Sequence, residues 1–174
     1  MPAGELGPTK TNVTRLLESR GIAHRVVVYA VDLSDLSATH AAEATGLAPG
    51  RVFKTLALRG AKNGVFLCCA PGDSELDLRK AARAAGEKSV EMLSLKELQS
   101  ATGYLRGGCS PVGTKRAYPV FIDETAILWG EISVSAGARG SQVVLAPDDL
   151  VRALGGRASY VDLTAKDVGR RAGA

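Results

Sequence analysis

Residues 51–70 read RVFKTLALRGAKNGVFLCCA. Two apolar runs, 51–59 and 65–70, flank Gly60-Ala61-Lys62-Asn63-Gly64. Asn-Gly inside so short a connection predicts a β-hairpin. Alternation along the first run puts Val52, Lys54, Leu56 and Leu58 on one face, with Phe53, Thr55 and Ala57 on the other. Both faces are largely apolar, which makes the lysine the residue that needs an explanation.

Upstream of the hairpin, Thr11 caps a helix carrying Val13, Leu16 and Leu17 and stopped by Gly21. His24–Ala30 is β-branched and reads as a strand, and Ser37 caps a short helix over 38–45 closed by Gly46. Downstream, 77–85 is helical and ends at Gly86. A second helix starts at Ser94, with Glu97 completing a capping box, and runs through Gln99. Residues 89–92 form a short strand at best, and 104–113 (YLRGGCSPVG) are irregular. Strands are expected over 118–123, 131–134, 142–146 and 159–163. Gly137–Gly140 is a turn, and a helix opens at Pro147 and ends at Gly155-Gly156. Consecutive strands thus come in hairpins. The expected fold class is mixed α/β: one domain, with a mixed or antiparallel, barrel-like sheet flanked by helices. Residues 1–8, with Pro2, Gly4, Gly7 and Pro8, read as a disordered leader, 9–168 as the domain and 169–174 as a C-terminal tail.

A chain of 174 residues can bury a core of ordinary size. Aromatics make up 5%, too few for an RNA module built on base stacking. No apolar run approaches the roughly 18 residues a membrane span needs. The first ten residues lack the apolar core of a signal peptide, so a cytoplasmic protein with no membrane partner is expected. Cys68, Cys69 and Cys109 cannot all pair, and the first two read as small core residues. His24 and His40 match no zinc spacing, so no metal and no cofactor are expected. The net charge of +4 points to a phosphate-rich partner only where it clusters. Arg79, Lys80 and Arg83, then Lys115-Arg116, and Arg170-Arg171 are the clusters, with a solvated surface as the alternative.

Lys54 either snorkels at an exposed edge or faces a pocket with apolar walls, where burial and nearby anions pull its charge in opposite directions. The loop Gly107-Gly108-Cys109-Ser110-Pro111-Val112-Gly113 permits positive φ and close approach of backbone to a ligand, and its N–H groups can cradle an anion or oxyanion. It is not a P-loop, because Thr114-Lys115 reverses the required order. Cys109 has no histidine placed to activate it, and Ser110 lacks the nucleophile-elbow pattern. Tyr29 is either a core tyrosine or a pocket wall. Arg139, in the turn Gly137-Ala138-Arg139-Gly140, either meets a phosphate or is simply exposed.

Taken in order, Val52-Phe53-Lys54-Thr55-Leu56, Leu76–Ala82 (LDLRKAA), Thr102–Gly113 (TGYLRGGCSPVG) and Val134–Gly140 (VSAGARG) resemble the YbaK/EbsC family of free-standing editing proteins, which includes Cys-tRNA(Pro) deacylases. The resemblance extends from about Thr9 to Val168. It implies a fold related to the editing domain of bacterial prolyl-tRNA synthetases and hydrolysis of the ester joining a wrong amino acid to the tRNA. On it, Lys54 matches the family's essential lysine, and Gly107, Gly108, Cys109, Ser110 and Pro111 match its Gly-x-x-x-Pro loop. Tyr29 matches a pocket tyrosine, and Ser135 and Gly137 lie in the substrate-side Ser-x-Gly turn. Some relatives carry a carboxylate after the Arg-Gly turn, where this chain has Ser141-Gln142, so Gln142 would offer a hydrogen bond and no acid. In cysteine-specific members the substrate's own thiol attacks the ester; in alanine-clearing relatives a water does. The implied partner is the acceptor end of tRNA(Pro), met by Lys80, Lys115, Arg116 and Arg139, with prolyl-tRNA synthetase as a second partner. Two other readings share the pocket: a non-catalytic module for aminoacyl-tRNA ends, and a binder of a nucleotide or amino acid. The oligomeric state is not legible.

Overall fold

The computed structural model describes residues 4–165. The hairpin forms as expected. β2 (Phe53–Gly60) and β3 (Gly64–Pro71) pair antiparallel from Phe53↔Pro71 to Gly60↔Gly64. Gly64 adopts φ +75°, and the Glu87 carboxylate accepts from the Lys62 and Asn63 backbone N–H groups to hold the turn. The other strands are β1 (Arg25–Val28), β4 (Val90–Met92), β5 (Val120–Asp123), β6 (Ile132–Ser135), β7 (Ser141–Leu145) and β8 (Ala158–Val161). They make two sheets, ordered β4-β2-β3-β5-β8 and β1-β7-β6. The larger is mixed, because β5 runs parallel to both β3 and β8.

Both faces of the hairpin are covered, as its apolar pattern requires. Phe53, Ala57, Leu67 and Cys69 join the main core with Ile122, Ile132, Val134 and Val143. Leu58, Phe66 and Cys68 lie in a second cluster under Ala81. Cys68, Cys69 and Cys109 are free and buried.

Helices α1 (Asn12–Ser19), α2 (Ala38–Thr45), α3 (Leu78–Ala85) and α4 (Leu95–Thr102) start after capping residues, and α5 (Pro147–Ala153) opens at its proline without a side-chain cap. Thr11, Ser37, Asp77 and Ser94 each accept a backbone N–H at their helix start. α4 outruns its expected end at Gln99, because Gly103, at φ +84°, is the first residue to take the left-handed conformation that closes it.

The expected mixed α/β fold holds, and its barrel-like arrangement consists of two sheets that do not close. An isolated parallel bridge, Val52 to Ser133, joins the two sheets, and beyond it β2 leaves β6. β4 takes up that edge of β2 only at Leu58–Gly60. The gap is where a cleft opens. One expectation needs correction: part of the stretch read as a disordered leader pairs with residues 29–31, which continue the chain directly after β1. Gly7 N–H donates to the Tyr29 carbonyl, Val31 N–H donates to the Glu5 carbonyl, and Leu6 pairs with Ala30. An unfilled strand edge supplies hydrogen bonds that glycines and prolines do not advertise. Residues 1–3 and the expected tail 169–174 lie outside the described residues.

Candidate active site

Backbone groups of alternate residues in a strand point to the same edge. Leu93 N–H donates to the Ala57 carbonyl on the β4 side, so Phe53 and Thr55 direct their backbone groups to that side as well. There β2 has no ladder partner between Phe53 and Ala57, and a cleft of about 450 Å³ runs along it. Leu93, between β4 and α4, and Leu95 and Leu98 of α4 form an apolar wall, with Ala38 and Ala41 of α2 lining another part.

Lys54 lines this cleft and is half-buried. Its Nζ donates to the Ser74 carbonyl at 2.6 Å. Burial lowers the lysine's pKa, while Glu75 and then Asp73 pull it back up. The pocket alternative, not the snorkelling one, therefore describes this residue.

Of the glycine loop, Gly107 and Cys109 reach the cleft. Gly107 sits at φ +85°. Gly108 is needed for close approach: a Cβ there would stand 3.1 Å from the Arg139 nitrogen and 3.2 Å from the Ala138 carbonyl carbon. Ser110 and Pro111 are buried behind the surface, and the Ser110 hydroxyl accepts from Val112 N–H at 3.2 Å. They shape the loop and do not line the cleft. Burial pushes the Cys109 thiol up to about 12, with Thr102 pulling it down, so it is a poor thiolate.

The smaller sheet supplies the polar wall. Its core face carries Val26, Ile132, Val134, Val143 and Leu145. Alternation therefore turns Tyr29, Ser133, Ser135 and Gln142 to the opposite face, and Tyr29, Ser135 and Gln142 line the cleft. Ser133 donates to Gln142 Oε1 at 2.8 Å. Ser135 Oγ accepts from Gly137 N–H at 3.1 Å. Gly137 itself backs onto Tyr104 and Val13, away from the cleft lining.

The basic candidates divide. Lys80 is committed to Asp162, at 2.9 Å to each carboxylate oxygen, and to the Thr164 carbonyl. Its ammonium ties α3 to the chain after β8. Lys115 lays its stem over Gly103 and donates to the Ser100 carbonyl at 3.3 Å. Arg116 is exposed. Arg139 donates through Nε to the Arg106 carbonyl at 2.9 Å. Arg106, which sequence reasoning passed over, lines the cleft, as does Thr55. The signal for Arg106 was its place directly before Gly107-Gly108; Thr55 gave none beyond its strand position.

Among the described residues, no cluster of three or more His, Cys, Asp or Glu side chains could hold a metal ion. No helix among them is long and apolar enough to cross a membrane.

EbsC of Enterococcus faecalis, provisionally named a Cys-tRNA(Pro)/Cys-tRNA(Cys) deacylase, is 42% identical over 158 residues, covering 91% of this chain and 95% of EbsC. YwhH of Bacillus subtilis, an uncharacterised protein, is 31% identical over 119 residues, covering 68% of this chain and 75% of YwhH. A crystal structure provisionally described as a trans-editing enzyme for prolyl-tRNA synthetase superposes with a TM-score of 0.76 at 30% identity, covering 90% of this chain and 99% of that one. The model of the aminoacyl-tRNA editing domain matches residues 36–153, from α2 to the end of α5 and so across the cleft. By the match over residues 36–153 and the 42% identity to EbsC, the chain belongs to the aminoacyl-tRNA editing domain family.

Proposed function

We propose that this protein is a trans-acting aminoacyl-tRNA deacylase that clears cysteine from tRNA(Pro). The observation that carries the reading is a half-buried Lys54 ammonium in a cleft where no thiolate stands ready among the described residues. Cys109, the one thiol lining the cleft among the described residues, is held protonated by its burial. As the resemblance to cysteine-specific members implies, the attacking atom on this reading is the substrate's own thiol. The cysteinyl thiol adds to its own ester carbonyl carbon, a sulfur–carbon bond forms, and the bond from that carbon to the ribose oxygen breaks. The thiol proton passes to the departing ribose oxygen, leaving free tRNA and a cyclic thiolactone.

The protein's part in this is positioning and charge. Lys54 sets a cation beside the negative charge that develops on the carbonyl oxygen or the adjoining phosphate. The free edge at Thr55 and the loop at Gly107–Cys109 offer backbone groups to the aminoacyl moiety. Arg106, Arg139, Lys115 and Arg116 face the phosphates of the acceptor end, and a complex with prolyl-tRNA synthetase supplies selectivity for the tRNA body.

Single-turnover deacylation of Cys-tRNA(Pro), Cys-tRNA(Cys) and Ala-tRNA(Pro) tests this. The expected result is fast loss of Cys-tRNA(Pro), slowed by about 10²-fold or more in Lys54→Ala, the scale of removing one charge-stabilising donor. Preference for Ala-tRNA(Pro) would replace thiol attack by water. Equal loss from tRNA(Cys) would remove the tRNA(Pro) specificity, and no loss from any of the three would overturn the deacylase itself.

A further inference from the structure

Residues 5–7 take over a strand's place. β1 and β7 pair as far as Val28↔Ser141, and Tyr29 N–H then donates to the Gly140 carbonyl at 2.9 Å. There β7 gives way to the turn 137–140. The N-terminal segment continues along 29–31: Gly7 N–H donates to the Tyr29 carbonyl at 3.3 Å, Leu6 pairs with Ala30, and Val31 N–H donates to the Glu5 carbonyl at 3.1 Å. Tyr29, which lines the cleft, is thus fixed through its N–H by the turn and through its carbonyl by this segment.

The same segment braces the turn at both ends. The Thr11 hydroxyl donates to the Ala136 carbonyl at 2.6 Å. At the other end, a Cβ on Gly7 would overlap the Gly140 carbonyl and stand 2.8 Å from the Arg139 oxygen. Backbone atoms do not swing aside as a side chain does, so only glycine fits there. Gly140, at φ +79°, returns the constraint: its own Cβ would stand 2.7 Å from the Tyr29 oxygen and 2.9 Å from the Gly7 nitrogen. The Ala138-Arg139 peptide unit is the one that Gly108 of the cleft loop approaches. Segment, turn and glycine loop therefore meet backbone to backbone, and close-packed parts transmit a displacement instead of absorbing it.

We propose that Gly7 is a positioning residue, and that residues 5–11 form a strap holding the turn 135–140, Tyr29 and the loop 107–109 at their spacing in the cleft. The strap itself lines no part of that cleft. What the cleft does to its substrate rests on the deacylase reading; the coupling of strap to loop does not.

The test is Gly7→Ala in the full chain, beside Leu6→Ala, which trims a side chain 63% exposed in the same strap. Without substrate, the backbone amide resonances of Gly107, Gly108 and Cys109 should move in Gly7→Ala and stay in place in Leu6→Ala. In single-turnover deacylation of Cys-tRNA(Pro), Gly7→Ala should lower the rate at saturating enzyme by about tenfold, with the half-saturating concentration unchanged. Adding Gly108→Ala should cost nothing beyond the slower single variant, because both act on one turn. If Gly7→Ala does not fold, Gly4→Ala, whose Cβ would overlap the Val31 carbonyl, lifts the strap from its other end and is read the same way. Unmoved loop resonances, an unchanged maximal rate, effects that multiply in the double variant, or an equal loss in Leu6→Ala each overturn the proposal. So does a loss confined to half-saturation, which would make the strap a tRNA contact. A wild type that deacylates no aminoacyl-tRNA, with the loop resonances moved, overturns the substrate and leaves the coupling standing.

Discussion

Lys54 shows how a functional side chain is held against its own solvation. Its stem leaves a strand whose neighbours are apolar, and its ammonium finds the Ser74 carbonyl, with Glu75 and Asp73 nearby. Burial still wins and the pKa stays depressed. The folded protein then binds a proton at this site less readily than the unfolded chain does. The penalty is full below the folded pKa and is relieved as pH rises through it towards 10.5, the ordinary lysine value. Lys54→Met should therefore abolish deacylation yet raise the melting temperature at neutral pH, with the advantage shrinking in alkali. Thermal melts at neutral and alkaline pH check this. A variant that melts lower at neutral pH would mean that the Ser74 bond outweighs the burial cost. The lysine was legible as an anomaly in an apolar strand, but its carbonyl partner twenty residues downstream was not.

At the scale of elements, the site depends on two turns touching. Gly108 lies so close to the backbone of Ala138 and Arg139 that a Cβ would have to push it by a few tenths of an ångström. The Gly107–Cys109 segment and the Ser135–Gly140 segment cannot then keep their spacing. Gly108→Ala should cost about 1 kcal/mol of stability, the low end for overpacking, and reduce kcat/KM by about tenfold, as misplaced positioning groups do. Gly130→Ala, where the new Cβ meets nothing within 4 Å, is the control and should change neither. Equal effects in both variants, by melting and single-turnover assay, would mean that the contact between the turns does not position the site. The elements themselves were largely legible. The hairpin, the capped helix starts and most strands follow from local pattern and turn chemistry. The open edge of β2 was not, because it depends on where β4 joins, and three-residue pairing leaves no mark in periodicity. Nor was the role of Ser133 and Ser135: apolar–polar alternation in Ile132-Ser133-Val134-Ser135 reads as a solvated face, whereas here that face is buried against a cleft.

For the whole molecule, the question is which charges remain free to meet tRNA. A net charge of +4 does not answer it. Arg25 and Arg51 share Glu131, Arg59 pairs with Glu97, Arg152 with Asp149, and Lys80 with Asp162. Among the described residues, Arg106, Arg139, Lys115 and Arg116 have no carboxylate within ion-pair distance; Arg106 lines the cleft, and Arg139 donates to its carbonyl from outside the lining. Clusters read from sequence could not separate these groups, because Asp162 lies 82 residues from Lys80 in the chain. A phosphate that replaces bound counterions makes affinity fall with salt, by about 0.7 to 0.9 in the logarithmic slope per contact. Arg106→Ala and Arg139→Ala should each weaken tRNA binding and flatten the salt dependence by about that much. Lys80→Ala should leave the slope unchanged and lower stability by about 0.5 kcal/mol, as for a partly exposed ion pair. Filter binding of tRNA(Pro) over a salt series, with a melt of each variant, separates the two kinds of lysine and arginine. A flatter slope in Lys80→Ala would mean that tRNA captures its ammonium from Asp162 on binding, and an unchanged slope in both arginine variants would move the acceptor end away from this mouth of the cleft.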